Sequence, residues 1–223
     1  MKASRSIQKT NYQRLLEKKL EALRGGERVP TLLLHACCAP CSSYVLEYLS
    51  EYFAITVLFY NPNIEPEKEY RARAEELKRL IREMPFRNEV TYVEGAYEPE
   101  KFHAAAAGYE DAPEGGARCA RCFRLRLQEA AEYADRLGLD YFTTTLTISP
   151  LKNAQLLNRI GEHIAESHSA AFLPSDFKKR GGYHRSIELS REYDLYRQNF
   201  CGCVYSKYNA EGRFNRFNLR CLR

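Results

Sequence analysis

The sequence contains no tryptophan. It also lacks an apolar run approaching the ~18 residues that a membrane span needs, so no transmembrane helix is expected. The first 30 residues have no apolar h-region, which argues against a secretory leader and for a reducing cytoplasm. In that compartment a structural disulfide framework is not expected. No phosphate-cradling glycine-rich loop follows the first apolar run, and Gly115-Gly116 sits in the wrong context for one, so nucleotide hydrolysis finds no support. There is no internal repeat and no long low-complexity segment. What is present is ordinary for a globular chain of 223 residues: 44% hydrophobic and 28% charged, enough to bury a core without staples.

Charge is unevenly placed. Residues 1–30 hold eight basic and three acidic groups, residues 31–176 hold 15 and 22, and residues 177–223 hold 11 and four. Basic ends around an acidic middle suggest a polyanionic partner such as nucleic acid. The tail adds Tyr196, Phe200, Tyr205, Tyr208, Phe214 and Phe217 among Arg197, Lys207, Arg213, Arg216 and Arg220. Aromatic faces stack on splayed bases and cations follow phosphates. A solvated or packed tail is the alternative.

Short apolar runs alternate with helical patterns. Strands are expected at residues 31–35, 54–60, 90–93, 141–146 and 171–173. Helices are expected at 8–24, 42–51, 66–83, 98–107, 119–137, 152–167 and near 186–193. This alternation predicts an α/β fold with a parallel sheet of about five strands and helices on both faces. Three regions are expected: a basic helical extension over 1–30, an α/β catalytic domain over 31–206, and a basic aromatic tail over 207–223. Ligands of such sheets bind beyond the carboxyl ends of the strands. The first strand ends at His35, and a cysteine cluster begins two residues later.

Eight cysteines fall into three groups and a singleton. Cys37, Cys38 and Cys41 lie between strand and helix, and Cys119 and Cys122 at a helix start. Cys201-Gly202-Cys203 forms the third group, and Cys221 stands alone. Thiolates are favoured at helix N-termini, and two such groups can converge on one metal. Thiolate-rich sites suit zinc or an iron–sulfur cluster, and spacing alone leaves that choice open. Cys38-Ala39-Pro40-Cys41 also reads as a thioredoxin-like motif, though no tryptophan precedes it and the other groups would then be idle. Cys201 and Cys203 are too close for an unstrained disulfide, and strained pairs tend to be labile or catalytic. They read as a redox dithiol or as a second metal site. His35 and Asp176 are candidate proton-transfer groups, against a satisfied strand-end histidine and a helix-capping aspartate. Tyr60 and Asn61 end the second strand as pocket-lining candidates.

Six blocks carry a resemblance. They are HACCAPC from His35, YNPNI from Tyr60, EGGARCARCF from Glu114, TTTLTISP from Thr143, LPSDFKK from Leu173 and YRQNFCGC from Tyr196. In this order they resemble the QueH type of epoxyqueuosine reductase, over about residues 31–206. The resemblance implies a fold like the adenine-nucleotide α-hydrolases. It also implies reduction of epoxyqueuosine to queuosine at the wobble position of tRNA, the last step of that modification, with electrons from an unidentified donor. It implies a [4Fe–4S] cluster on Cys37, Cys38, Cys119 and Cys122 and a redox-active pair at Cys201 and Cys203. Cys41 lies where the family pattern varies and is a candidate ligand of a second mononuclear metal ion. The competing readings are a zinc-bearing tRNA-binding protein and a thiol–disulfide oxidoreductase.

Overall fold

A computed structural model describes residues 9–207. Five parallel strands form one sheet in the order β3-β2-β1-β4-β5. They are β1 (Thr31–His35), β2 (Ala54–Phe59), β3 (Val90–Glu94), β4 (Tyr141–Thr144) and β5 (Ala171–Phe172). The helices are α1 (Tyr12–Leu23), α2 (Ala39–Leu49), α3 (Glu67–Glu83), α4 (Pro99–Ala106), α5 (Ala117–Arg136), α6 (Ala154–Ala165) and α7 (Gly182–Glu192). The expected parallel α/β sheet is what the chain forms. Among the described residues no helix is long and apolar enough to cross a membrane.

β1 is the central strand, and it has no polar face. Leu32, Leu33 and Leu34 are all fully buried, as expected for a strand covered by helices on both sides. The chain leaves β1 for β2 on one flank and later returns to β4 on the other. The carboxyl end of β1 is therefore the topological switch point.

Among the boundaries that differ from the expected ones, three have a local cause. α2 starts at Ala39 rather than Ser42, because Cys38 takes the capping position and Pro40 is tolerated in the first turn. β4 ends at Thr144 rather than Leu146: the Thr144 hydroxyl accepts from Leu146 N at 3.1 Å and starts a 3₁₀ turn over Thr145–Ile148. α7 begins at Gly182, where the left-handed Gly181 (φ 77°) turns the chain.

α1 belongs to the same body. Tyr12, Leu16 and Leu20 recur one turn apart and are buried, and Leu16 and Leu20 join the main core. Arg28 then donates two bonds to Asp140, at 2.8 and 2.6 Å, at the start of β4.

Gly161 lets α6 lie close on β5. A Cβ there would fall 2.3–2.6 Å from three ring atoms of Phe172, which stacks edgewise on Phe142. Alanine improves helix propensity by about 1 kcal/mol, but overpacking costs about 1–3 kcal/mol. Gly161→Ala is expected to lower stability by up to about 2 kcal/mol. A reduced urea midpoint at unchanged slope would show it, and an unchanged or higher midpoint would refute it.

Candidate active site and metal centre

The first thiol group sits at the switch point. Cys38 caps α2, and the sulfurs of Cys37, Cys38 and Cys41 all lie within 4.8 Å of one another. This is a set that could hold a metal. Cys37 and Cys38 sulfurs are 3.7 Å apart. Hydrogen bonds from Cys38 and Cys41 hold the Cys37 thiol well below its usual range. The same interactions raise the two donors, Cys38 to about 12 and Cys41 well above normal. Cys37 is thus the most acidic thiol of the three.

The second group is on α5. Cys119 accepts from Gly115 N at 3.2 Å, and Cys122 lies one turn further, buried beside Cys203 and Phe102. Burial raises Cys122 to about 11. The third group follows α7. Arg73 donates to the Cys201 carbonyl at 3.2 Å and stacks over Phe200, and burial raises Cys203 to about 12. Gly202 has φ 115°, and a Cβ there would meet Ile64 at 2.8 Å, so the pair is separated by a residue that must be glycine. All seven cysteines among the described residues are free thiols.

Arg126 links the three groups. It is only 1% exposed. Its Nη1 donates to Asn61 Oδ1 at 3.3 Å, its Nε to the Cys122 carbonyl at 3.4 Å, and its Nη2 has no hydrogen-bond partner among the described residues. Burial opposes its charge, but Cys122, Cys201, Cys37 and Cys203 around it more than offset that. Lys152 behaves likewise: burial lowers its pKa, while Cys201, Cys37 and Cys41 raise it further. A cavity of about 750 Å³ opens over Cys37, Cys41, Cys201, Arg126 and Lys152. Its volume is in the range of small-ligand sites.

The sequence profile of the epoxyqueuosine reductase QueH family matches residues 32–209. The chain belongs to that family. The QueH of Staphylococcus epidermidis is 44% identical over 218 residues, covering 95% of this chain and 90% of that one. The Streptococcus pyogenes protein is 44% identical over 201 residues, covering 89% and 79%. The Thermotoga maritima protein is 38% identical over 181 residues, covering 79% and 90%. Among solved structures, NMN synthetase from Francisella tularensis aligns with a TM-score of 0.44 and 13% identity, over 88% of this chain and 77% of that one. The protein is accordingly an oxidoreductase of queuosine biosynthesis, an epoxyqueuosine reductase.

The proton-transfer candidates are placed differently from the thiols. His35 is fully buried, with Nδ1 on Thr144 Oγ1 at 2.9 Å and Nε2 on the Tyr60 carbonyl at 3.1 Å. Burial, and then Arg126, push its pKa down to about 3, so it is neutral near pH 7 and enclosed. That environment suits holding the end of β1 in place. Asp176 is paired with Lys178 and lines a different cavity; it caps no helix. Asn61 also donates to the Ala36 carbonyl at 2.8 Å, so it braces the cysteine turn. Tyr60 is buried, and its hydroxyl has no hydrogen-bond partner among the described residues.

Of the tail aromatics, Phe200 lines the cysteine cavity, and Tyr205 lies under Arg118 at 4.2 Å and packs on Phe102. Both are engaged by the protein itself. Tyr208, Arg213, Phe214, Arg216, Phe217, Arg220 and Cys221 lie outside the described residues.

Arg126 and Lys152 were not apparent from sequence. Arg126 follows Cys122 by four residues, so Cys119, Cys122 and Arg126 share one helix face. That spacing was the available signal. It was hidden because Arg121, Arg124 and Arg126 together read as a solvated basic helix.

Proposed function

We propose that the epoxide is reduced in the cavity over Cys37 and Cys201, on tRNA carrying epoxyqueuosine in its anticodon loop. In this reading Cys37, Cys38, Cys119 and Cys122 hold a [4Fe–4S] cluster, and Cys201 and Cys203 form a redox pair. One observation carries it: the buried Arg126, bonded to the Cys122 carbonyl, lines one cavity with Cys37 and Cys201 at the switch point of the sheet. Soft thiolate donors are what such a group takes, and among the described residues the sulfurs grouped within 4.8 Å are those of Cys37, Cys38 and Cys41. Two thiols come from the capping turn of α2 and two from the first turns of α5, and both helix ends favour negative sulfur. Cys41, in one sulfur group with Cys37 and Cys38, suits a ligand of a further mononuclear metal ion better than core filling.

Removing the epoxide oxygen takes two electrons and two protons, leaves an alkene and releases water. A bound cluster supplies electrons one at a time. A dithiol at Cys201 and Cys203 that becomes a disulfide releases two electrons and two protons, the number the reaction needs. An external donor then restores it. Arg126 and Lys152 keep the thiol-rich site electrically compensated, and they present cationic donors to an oxygen gaining negative charge. The enclosed His35 and the braced Asn61 keep the Cys37 turn in register with β4.

Anaerobically purified protein tests this reading. Iron with sulfide, broad visible absorbance and conversion of epoxyqueuosine to queuosine in tRNA under a chemical reductant are expected. Colourless protein with stoichiometric zinc and no conversion would favour the zinc-bearing RNA binder. Metal-free protein that exchanges disulfides would favour the thiol oxidoreductase.

A further inference from the structure

A second cavity, of about 740 Å³, lies on the other side of Lys152, which lines both. Three segments build it. They are residues 9–14 at the start of α1, residues 153–155 at the start of α6, and residues 176–180. Gln155 Nε2 donates to the Thr10 carbonyl at 2.7 Å, and Arg180 donates to Glu17 at 2.9 and 3.2 Å, so these segments are tied together.

The cavity is cationic. Lys9, Arg14, Lys152, Lys178, Lys179 and Arg180 line it against Glu17 and Asp176 only. Both carboxylates are already paired, Glu17 with Arg180 and Asp176 with Lys178. The side chains of Lys9, Arg14 and Lys179 form no hydrogen bond or ion pair among the described residues, which leaves three uncommitted cations. Two helices of 12 residues, α1 and α6, also start at this cavity, each capped by an asparagine, Asn11 and Asn153. Their positive dipole ends face it.

Cations with no carboxylate of their own fit a ligand that carries a row of negative charges, as the phosphates of an RNA strand do.

We propose that this cavity binds the RNA backbone next to the reacting nucleotide, with phosphates on Lys9, Arg14 and Lys179. The wall shared at Lys152 makes the two cavities neighbours, so a base in the thiol cavity leaves its own backbone at the cationic one. The proposal rests on the reading of tRNA as substrate and adds where the strand is held.

The test uses the full-length, anaerobically prepared protein and an anticodon stem–loop RNA. Affinity is measured from about 50 to 200 mM salt. Each lost contact to single-stranded phosphate flattens the log–log slope by about 0.7. Lys9→Gln/Arg14→Gln/Lys179→Gln should therefore flatten it by about 2 and weaken binding at low salt at least about tenfold. Its iron content should equal that of wild type. A matched variant on a distant face, Lys68→Gln/Arg82→Gln/Arg87→Gln, should keep the wild-type slope. Equal slopes for the cavity variant and wild type, with wild type binding steeply, would overturn the cavity and leave the tRNA reading intact. Equal flattening by both variants would also overturn it, since only net charge would then matter. Absence of RNA binding by wild type at low salt would overturn both.

Discussion

Serine at Cys37, Cys38, Cys119 or Cys122 is expected to remove more than roughly half of the bound iron and sulfide, each change acting alone. The replacement is nearly isosteric, so packing around these half-buried or buried side chains changes little. What is lost is a soft thiolate donor, which a serine hydroxyl does not replace. Iron and acid-labile sulfide per chain, measured anaerobically, read the effect directly. Thermal unfolding of each metal-free variant, compared with metal-free wild type, separates ligand loss from misfolding. Full iron in all four variants would remove the ligand assignment. Metal loss confined to Cys37, Cys38 and Cys41 variants would instead indicate one mononuclear site, because those three sulfurs already lie within 4.8 Å of one another.

The Cys201→Ala/Cys203→Ala double variant is expected to keep its iron and lose turnover to background. Cys201 faces the cavity, while Cys203 is buried against Cys122 and Phe102. Removing the sulfur of Cys203 leaves a small void and costs about 1 kcal/mol, too little to unfold the protein. Gly202 stays, so the turn that approaches Ile64 is unchanged. Conversion of epoxyqueuosine in tRNA, followed by nucleoside mass spectrometry, reports turnover. Iron content reports the metal. Loss of iron together with turnover would make these residues ligands and end the redox-pair reading. Retained turnover would show that the electrons reach the substrate without them.

Local pattern was enough for most of the fold. Leu32, Leu33 and Leu34 form an apolar run with no polar face, and that alone marks a strand enclosed by helices. The helix ends were harder. α2 begins three residues early, with Cys38 in extended backbone at the N-cap position and Pro40 in the first turn, and β4 stops two residues early because the Thr144 hydroxyl captures a backbone donor. Capping and hydroxyl competition are single-residue events that hydrophobic periodicity does not register.

The site divides along the same physical line. Cysteine is rare enough, and its spacings short enough, that the three thiol groups are legible as chemistry in the residue order alone. Their order along the chain also placed the first at the end of β1. Which charges accompany them depended on contacts between distant segments, such as Arg126 with Asn61, 65 residues apart. Arginine and lysine are common on helices, and only burial distinguishes Arg126 from Arg121 or Arg124. His35 and Asp176 show the reverse case. Both residue types suit proton transfer, but folding encloses one between Thr144 and Tyr60 and pairs the other with Lys178 away from the thiols. The sequence by itself determined the parallel α/β sheet, the family and the thiol inventory, because these follow from local periodicity and from rare residues. The tertiary structure decided which cations, carbonyls and cavities those thiols meet, because burial and charge compensation arise only when distant segments close around a common point.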